Sequence, residues 1–387
     1  MTATALPEAP PGSPPRPGTA VRRAAPALLA FAAVRLLGVV VLAIWAQTAG
    51  KSAHKLLSGR WDSLWYQRIA EHGYGYTLHL SGGRVHSDLA FFPLLPWLEH
   101  SLAALTPLST ADAGLAVSWL ASLAAAWGVF AVGDRLYGRR TGILLVVLWA
   151  VLPVGIVQSM AYTESLFTAL AAWSLYAVLT GRWLWAGTLA SLAGLTRPVG
   201  AAVVAAVWAA AALALHRDRA AWRSDRWMLP GALLAPAGWL GYVAWVGVRT
   251  GSVTGYPDVQ GGWGNGFDGG AAFARFVGGR LTAPPFVGGV GLLVAVALLL
   301  WLWLRGVRQG QPLPLLAYTT AVLALALTGA GYFGSKPRLL MPAFPLLLPV
   351  ALALARLRPR RAVLVLGAVA LVSAGYGALW LNGSGPP

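Results

Sequence analysis

Cysteine is absent from the 387 residues, which at once excludes disulfides, thiolate metal sites and a cysteine nucleophile. Acidic side chains are scarce: Asp and Glu together number 12, and charged residues of all kinds make up 11% of the chain. A soluble domain carries about a quarter charged residues, so a water-facing surface over most of this chain is excluded. A Gly-rich phosphate loop is also missing. The run Gly261-Gly262-Trp263-Gly264-Asn265-Gly266 has the glycines, but no strand pattern precedes it and no Lys-Ser/Thr pair ends it. Direct use of a cytosolic nucleotide-linked substrate is therefore disfavoured. Alternating ten-residue strands of an outer-membrane barrel are lacking as well.

What the chain does contain is apolar sequence, 57% by composition. Runs at 142–157, 201–215 and 288–304 approach the length of about 20 residues that crosses a bilayer core. In lipid the backbone must satisfy its own hydrogen bonds, so such runs are read as helices. The expected fold class is an all-α polytopic membrane protein. A net charge of +17 would suggest nucleic acid in a soluble protein. Here Arg in cytoplasmic loops and contact with anionic lipid account for it, and nucleic acid is not an expected partner. Residues 1–21, rich in Pro, Ala and Gly, read as a disordered cytoplasmic tail, and 22–382 as a single transmembrane domain. Arg22 and Arg23 precede the apolar stretch 24–46, which resembles a signal peptide but is longer and carries Arg35; it is read as an uncleaved first helix.

Candidate spans fall at about 24–46, 113–134, 141–159, 162–180, 183–197, 199–215, 228–248, 284–304, 313–332, 339–355 and 362–381, eleven in all. With the N-terminus inside, most of the 29 basic residues lie at inward helix ends. This holds only if Phe91–Leu105 does not cross. Two prolines, Glu99 and His100 make it a poor span, better read as a re-entrant or interfacial helix. Two extracytoplasmic segments, 47–90 and 249–283, are then too long for mere connectors. The second is Gly-rich and reads as a mobile lid or cover, or as a disordered loop.

Within the first, Arg60–Tyr76 is dense in Trp and Tyr, which suits a helix at the membrane–water boundary. Trp61, Leu64, Trp65 and Ile69 fall at helical spacing as an apolar stripe. Asp62, Tyr66 and Arg68 lie off it, so Asp62 is free either to face a cavity or to complement the helix N-terminus. Trp61-Asp62, Trp65-Tyr66, Ile69-Ala70 and Gly73-Tyr74, followed by Asp88-Leu89-Ala90-Phe91-Phe92-Pro93, resemble the PIG-V family of mannosyltransferases, GT-C-type enzymes, in a bacterial form. Tyr162-Thr163-Glu164-Ser165, Thr196-Arg197-Pro198 and Pro337-Arg338-Leu339-Leu340-Met341-Pro342 fit the same pattern.

That resemblance implies a sugar transferase in the cell membrane, with a polyprenyl-phosphate donor and its site on the extracytoplasmic face. It carries the general-base role onto Asp62. Bacterial relatives occur where no GPI anchor is made, so the acceptor (glycan, glycolipid or protein) and mannose itself stay open. Arg338 and Arg197, with Lys336, are expected at the donor phosphate, because guanidinium forks suit phosphate oxygens; snorkelling to the interface is the alternative. Trp61, Tyr66, Tyr162, Glu164 and Asp88 are further substrate-binding candidates, with helix-end dipole and capping roles as alternatives for Glu164 and Asp88. His72 and His86 match no zinc spacing, and no metal or cofactor is expected. A multi-pass transporter or flippase for lipid-linked sugars is the competing class.

Overall fold

The structure, a computed structural model, describes residues 17–385. Most of the expected tail, residues 1–16, lies outside the described residues; the rest of it is helical, because α1 runs Pro17–Thr48. After α1 come two short helices, α2 (Ala53–Ser58) and α3 (Asp62–His72), and a hairpin of β1 (Thr77–His79) and β2 (Val85–Ser87) with Thr77 opposite Ser87. Helix α4 (Leu94–Leu105) then leads to the long α5 (Thr110–Tyr137). Ser109 caps α5 by accepting from the Asp112 amide, and Gly138, at φ +84°, turns the chain directly into α6 (Arg139–Ala150). The bundle continues through α7 (Thr163–Leu179), α8 (Trp183–Gly194) and α9 (Ala201–Arg217).

A short α10 (Ala221–Ser224) precedes α11 (Met228–Leu234) and α12 (Ala237–Thr250). The second long connection is folded rather than open: it holds α13 (Gly255–Gly262), β3 (Gly266–Phe267) and α14 (Ala271–Thr282). Helices α15 (Val287–Arg308) and α16 (Leu313–Thr328) follow, then β4 (Gly329–Ala330), which pairs with β3. The chain closes with α17 (Lys336–Leu340), α18 (Leu348–Ala355) and α19 (Pro359–Asn382).

Six of the described helices are long and apolar enough to cross a bilayer, or seven if the bent Phe333–Leu340 and Phe344–Ala355 pair is one span. The eleven expected spans are therefore not matched by length. Helices α6 and α8 have 12 residues each. At 1.5 Å per residue that is about 18 Å, short of a core of about 30 Å. Proline and glycine interrupt the apolar runs where hydropathy reads straight through them. The interruption after α6 is sheltered in protein: Gly155 to Ser159 form a buried 3-10 turn. Arg35 donates to the Ala150 and Gly155 carbonyls there, so it satisfies backbone left open by the break rather than pairing with an acid. Helix α4, within Phe91–Leu105, also has 12 residues.

The two ends of the bundle are chemically distinct. Arg23 of α1 meets Asp134 of α5 at 2.8 Å, and Arg140 donates to the Leu357 carbonyl, so these segments share one end. Lys51 and Arg60 reach carbonyls at the C-terminus of α19, which puts α2 and α3 at the other. Small residues let the helices touch. A Cβ on Gly231 of α11 would overlap the Trp183 carbonyl of α8, and one on Gly187 would overlap the Gly231 carbonyl. Gly231→Val is expected to destabilise the fold by at least about 1–3 kcal/mol, read as earlier thermal unfolding in detergent; unchanged unfolding would contradict this packing.

Candidate active site

Four charged residues picked from separate sequence motifs meet at the α19 C-terminal end of the bundle. Asp62 lies in the first turn of α3, immediately after Trp61, whose φ of +52° and ψ of −120° are rare for a residue with a Cβ. The surroundings hold that turn: the Arg60 guanidinium lies 3.8 Å from the Trp61 ring centroid and donates to the Leu381 and Gly383 carbonyls. Glu164 occupies the first turn of α7, where unpaired helix amides favour an anion. Arg197 lies in the link between α8 and α9, held in extended backbone at φ −160° and ψ 155° by the following Pro198. Arg338 comes from the short α17, opened by Pro337.

Their side chains form one chain of ion pairs. Arg338 Nη1 contacts Asp62 Oδ2 at 2.6 Å, and its Nε lies 3.3 Å from Glu164 Oε1. Glu164 Oε1 also pairs with Arg197 Nη1. Glu164 is 1% exposed and the two arginines 10%, whereas the Asp62 side chain keeps 28% of its surface open. Two carboxylates and two guanidinium groups cancel formally. Burying such a network costs desolvation that apolar packing would avoid, so stability alone is a weak reason for it.

The remaining expected site residues divide. Tyr66 is buried, with its hydroxyl 3.3 Å from Thr163 Oγ1 and its ring edge-on to Phe91. Burial first, and the Asp62 charge second, hold that phenol well above its usual range, so it stays protonated. The buried residues of α3 are Ser63, Tyr66, Ile69 and Ala70, while Leu64 is exposed. Of the Trp61-Leu64-Trp65-Ile69 stripe only Ile69 is buried in protein, and Tyr66 turns inward to polar and aromatic partners. Tyr162 is also enclosed: its ring lies 5.0 Å from the Arg338 guanidinium and its hydroxyl 3.4 Å from the Arg60 carbonyl. Asp88 is fully buried away from the four-charge cluster, and its Oδ2 accepts from the Gly75 and Tyr76 amides. It clamps the segment that leads from α3 into β1 rather than lining an open site. Lys336 is not joined to either carboxylate. Its ammonium donates to the Ala326 and Gly329 carbonyls and lies 4.9 Å from the Phe273 ring centroid.

Lys336 borders a cavity of about 330 Å³ walled by Phe273, Phe276, Leu292, Leu299 and Phe333. Sequence reasoning missed this groove, whose walls come from α14, α15 and the segment before α17. It also missed Trp263, which stacks on His86 at 4.0 Å, meets Trp65 edge-on and donates to the Ser87 carbonyl. A single indole amid glycines was the available signal. Through Trp263 the second long connection docks onto the first. Among the described residues no group of three or more His, Asp or Glu is arranged to hold a metal ion.

Glu99 of α4 is fully buried with neither carboxylate oxygen hydrogen-bonded, in space that Gly114 leaves. Burial, with the Glu71 charge adding to it, raises its pKa well above the ordinary value. The folded state then keeps a proton that the unfolded chain loses, so stability is greatest at low pH and falls as pH rises toward the folded pKa, by up to about 1.4 kcal/mol per unit. Glu99→Gln is expected to flatten this decline in melting temperature as pH rises above the ordinary glutamate value of 4.5; an unchanged slope would show Glu99 to be irrelevant to it.

No family model matches the chain, and no curated protein matches it by sequence. Among solved structures it is similar to ArnT from Cupriavidus metallidurans bound to undecaprenyl phosphate, with a TM-score of 0.53 and 16% identity over 86% of this chain. The chain spans 62% of the length of that protein. The same protein in the apo state gives a TM-score of 0.50 and 15% identity, covering 82% of this chain and 68% of the other. At such identities the likeness speaks for architecture alone: this predominantly helical chain shares the fold of that protein.

Proposed function

We propose that the protein is a membrane glycosyltransferase that moves a sugar from a polyprenyl-phosphate donor to an extracytoplasmic acceptor at the plasma membrane. The carrying observation is the pairing of a partly open carboxylate, Asp62, with a fixed buried cation, Arg338, at 2.6 Å. In this reading Asp62 takes the proton of the acceptor hydroxyl as its oxygen bonds to the anomeric carbon. The bond from that carbon to the phosphate oxygen breaks, and the phosphate leaves with the electron pair. Arg338, with Arg197 behind it, supplies positive charge already in place for that leaving group. Trp61 and Tyr66 fix the turn and helix that present Asp62, while Tyr162 and Glu164 support the arginines. A single base facing the open side gives inversion, and Glu164 is too enclosed to act as a nucleophile.

The donor class is supported by the groove: an apolar channel bordered by Lys336 and Arg280 suits a long isoprenoid chain with an anionic head. A GT-C fold shared with a protein solved with undecaprenyl phosphate fits the same reading. Mannose follows from the PIG-V motif resemblance alone. The sidedness rests on the basic residues Arg22, Arg23, Arg135, Arg139 and Arg140 gathered at the other end of the bundle. The broken helices favour a second reading, a lipid-linked-sugar flippase. Mass spectrometry of lipid-linked and surface glycans from cells with and without the gene tests the first. A glycan missing one hexose, with its donor accumulating, is expected; unchanged glycans together with lipid scrambling by the purified protein would support the flippase instead.

A further inference from the structure

The ion-pair network engages the groups that both halves of the proposed reaction would use. Arg338 Nη1, the group suited to a phosphate, is already engaged by Asp62 Oδ2 at 2.6 Å. The same contact occupies an oxygen of the carboxylate proposed as base. Lys336, two residues earlier in α17, has no carboxylate within ion-pair distance among the described residues and borders the apolar groove. The two acids also differ in freedom. Asp62 is 28% exposed and can turn toward water, whereas Glu164 at 1% cannot be left without its cations.

Resting on the transferase reading, we propose that Arg338 latches Asp62 until the donor's phosphate releases it. The phosphate meets Lys336 first. It then takes Arg338 Nη1 from Asp62, one charge-assisted contact replacing another. Glu164 stays on the Nε side and keeps the guanidinium in place during the exchange. Asp62, freed, faces the acceptor. The lipid phosphate therefore binds before the acceptor, and Asp62 competes with it for Arg338. An acceptor that arrives before the donor meets an occupied carboxylate.

The test is a double-mutant cycle read as affinity of the purified full-length protein for undecaprenyl phosphate, by native mass spectrometry in nanodiscs. Asp62→Asn is expected to tighten binding about tenfold, the scale of coupling between contacting charges. In an Arg338→Gln background the same change is expected to have less than a twofold effect. Equal tightening in both backgrounds would reduce Asp62 to general charge repulsion and overturn the latch, as would no tightening in either. If Arg338→Gln fails to fold, Arg338→Lys replaces it in the cycle. That variant keeps the charge and loses the fork, so the gain is expected to shrink below threefold, and a full tenfold gain would overturn the proposal. Absence of binding by the unaltered protein sinks the transferase reading itself, whereas binding without coupling sinks only the latch.

Discussion

Asp62→Asn is expected to leave the protein folded and membrane-inserted while lowering transfer turnover by about 10²–10⁴-fold, the usual range for losing a general base. Asparagine keeps the shape of the side chain and an oxygen that can still accept from Arg338. The cluster should therefore keep its geometry, and the melting temperature should change little because Asp62 is 28% exposed. What asparagine cannot do is hold the acceptor's proton. The split between kcat and KM carries the argument: kcat falls, and KM for the donor stays or drops, since a neutral amide competes more weakly than a carboxylate for Arg338. Turnover at the unaltered rate would remove Asp62 as base.

Glu164→Gln is expected to be worse for the fold than for any single contact. It leaves Arg197 and Arg338, each 10% exposed, without their shared counter-ion. Removing one partner of a buried ion pair costs about 3–5 kcal/mol, because the surviving charge stays buried. Thermal unfolding or limited proteolysis in detergent would show this directly. Replacing both Glu164 and Arg197 by Met should recover much of the stability, since a buried pair exchanged for apolar packing is often neutral. Activity should not return, because Arg338 has then lost the group that holds its Nε side. Recovery of full activity in that double variant would show the Glu164 pairing to be dispensable.

Much of this was legible before any coordinates. The helical membrane class follows from 57% apolar composition with 11% charge, and the structure agrees. Asp62, Glu164, Arg197 and Arg338 each stood out as a charge at a helix end in a sequence short of acids. That they meet was not readable, because they are up to 276 residues apart and only tertiary packing sets the pairing. The arginines were expected at the donor phosphate; that both also pair with carboxylates is something a view of one motif at a time could not anticipate. The inward turn of Tyr66 was hidden because a helical stripe counts apolar residues and ignores a phenol with a buried partner in Thr163. The expected spans 141–159 and 339–355 each run across a helix break near Pro153 or Pro342, since hydropathy averages over a break that the backbone cannot. The groove beside Lys336 was invisible because its walls are ordinary membrane residues from three separate segments.

One measurement bears most directly on the claim that a lone open carboxylate does the proton transfer while a guanidinium takes the leaving phosphate. The purified protein would be given a synthetic polyprenyl-phosphate sugar of known anomeric configuration, and the configuration of the transferred sugar read by NMR. Complete inversion is predicted. Retention would demand a carboxylate nucleophile that the enclosed Glu164 cannot supply, and would contradict the account.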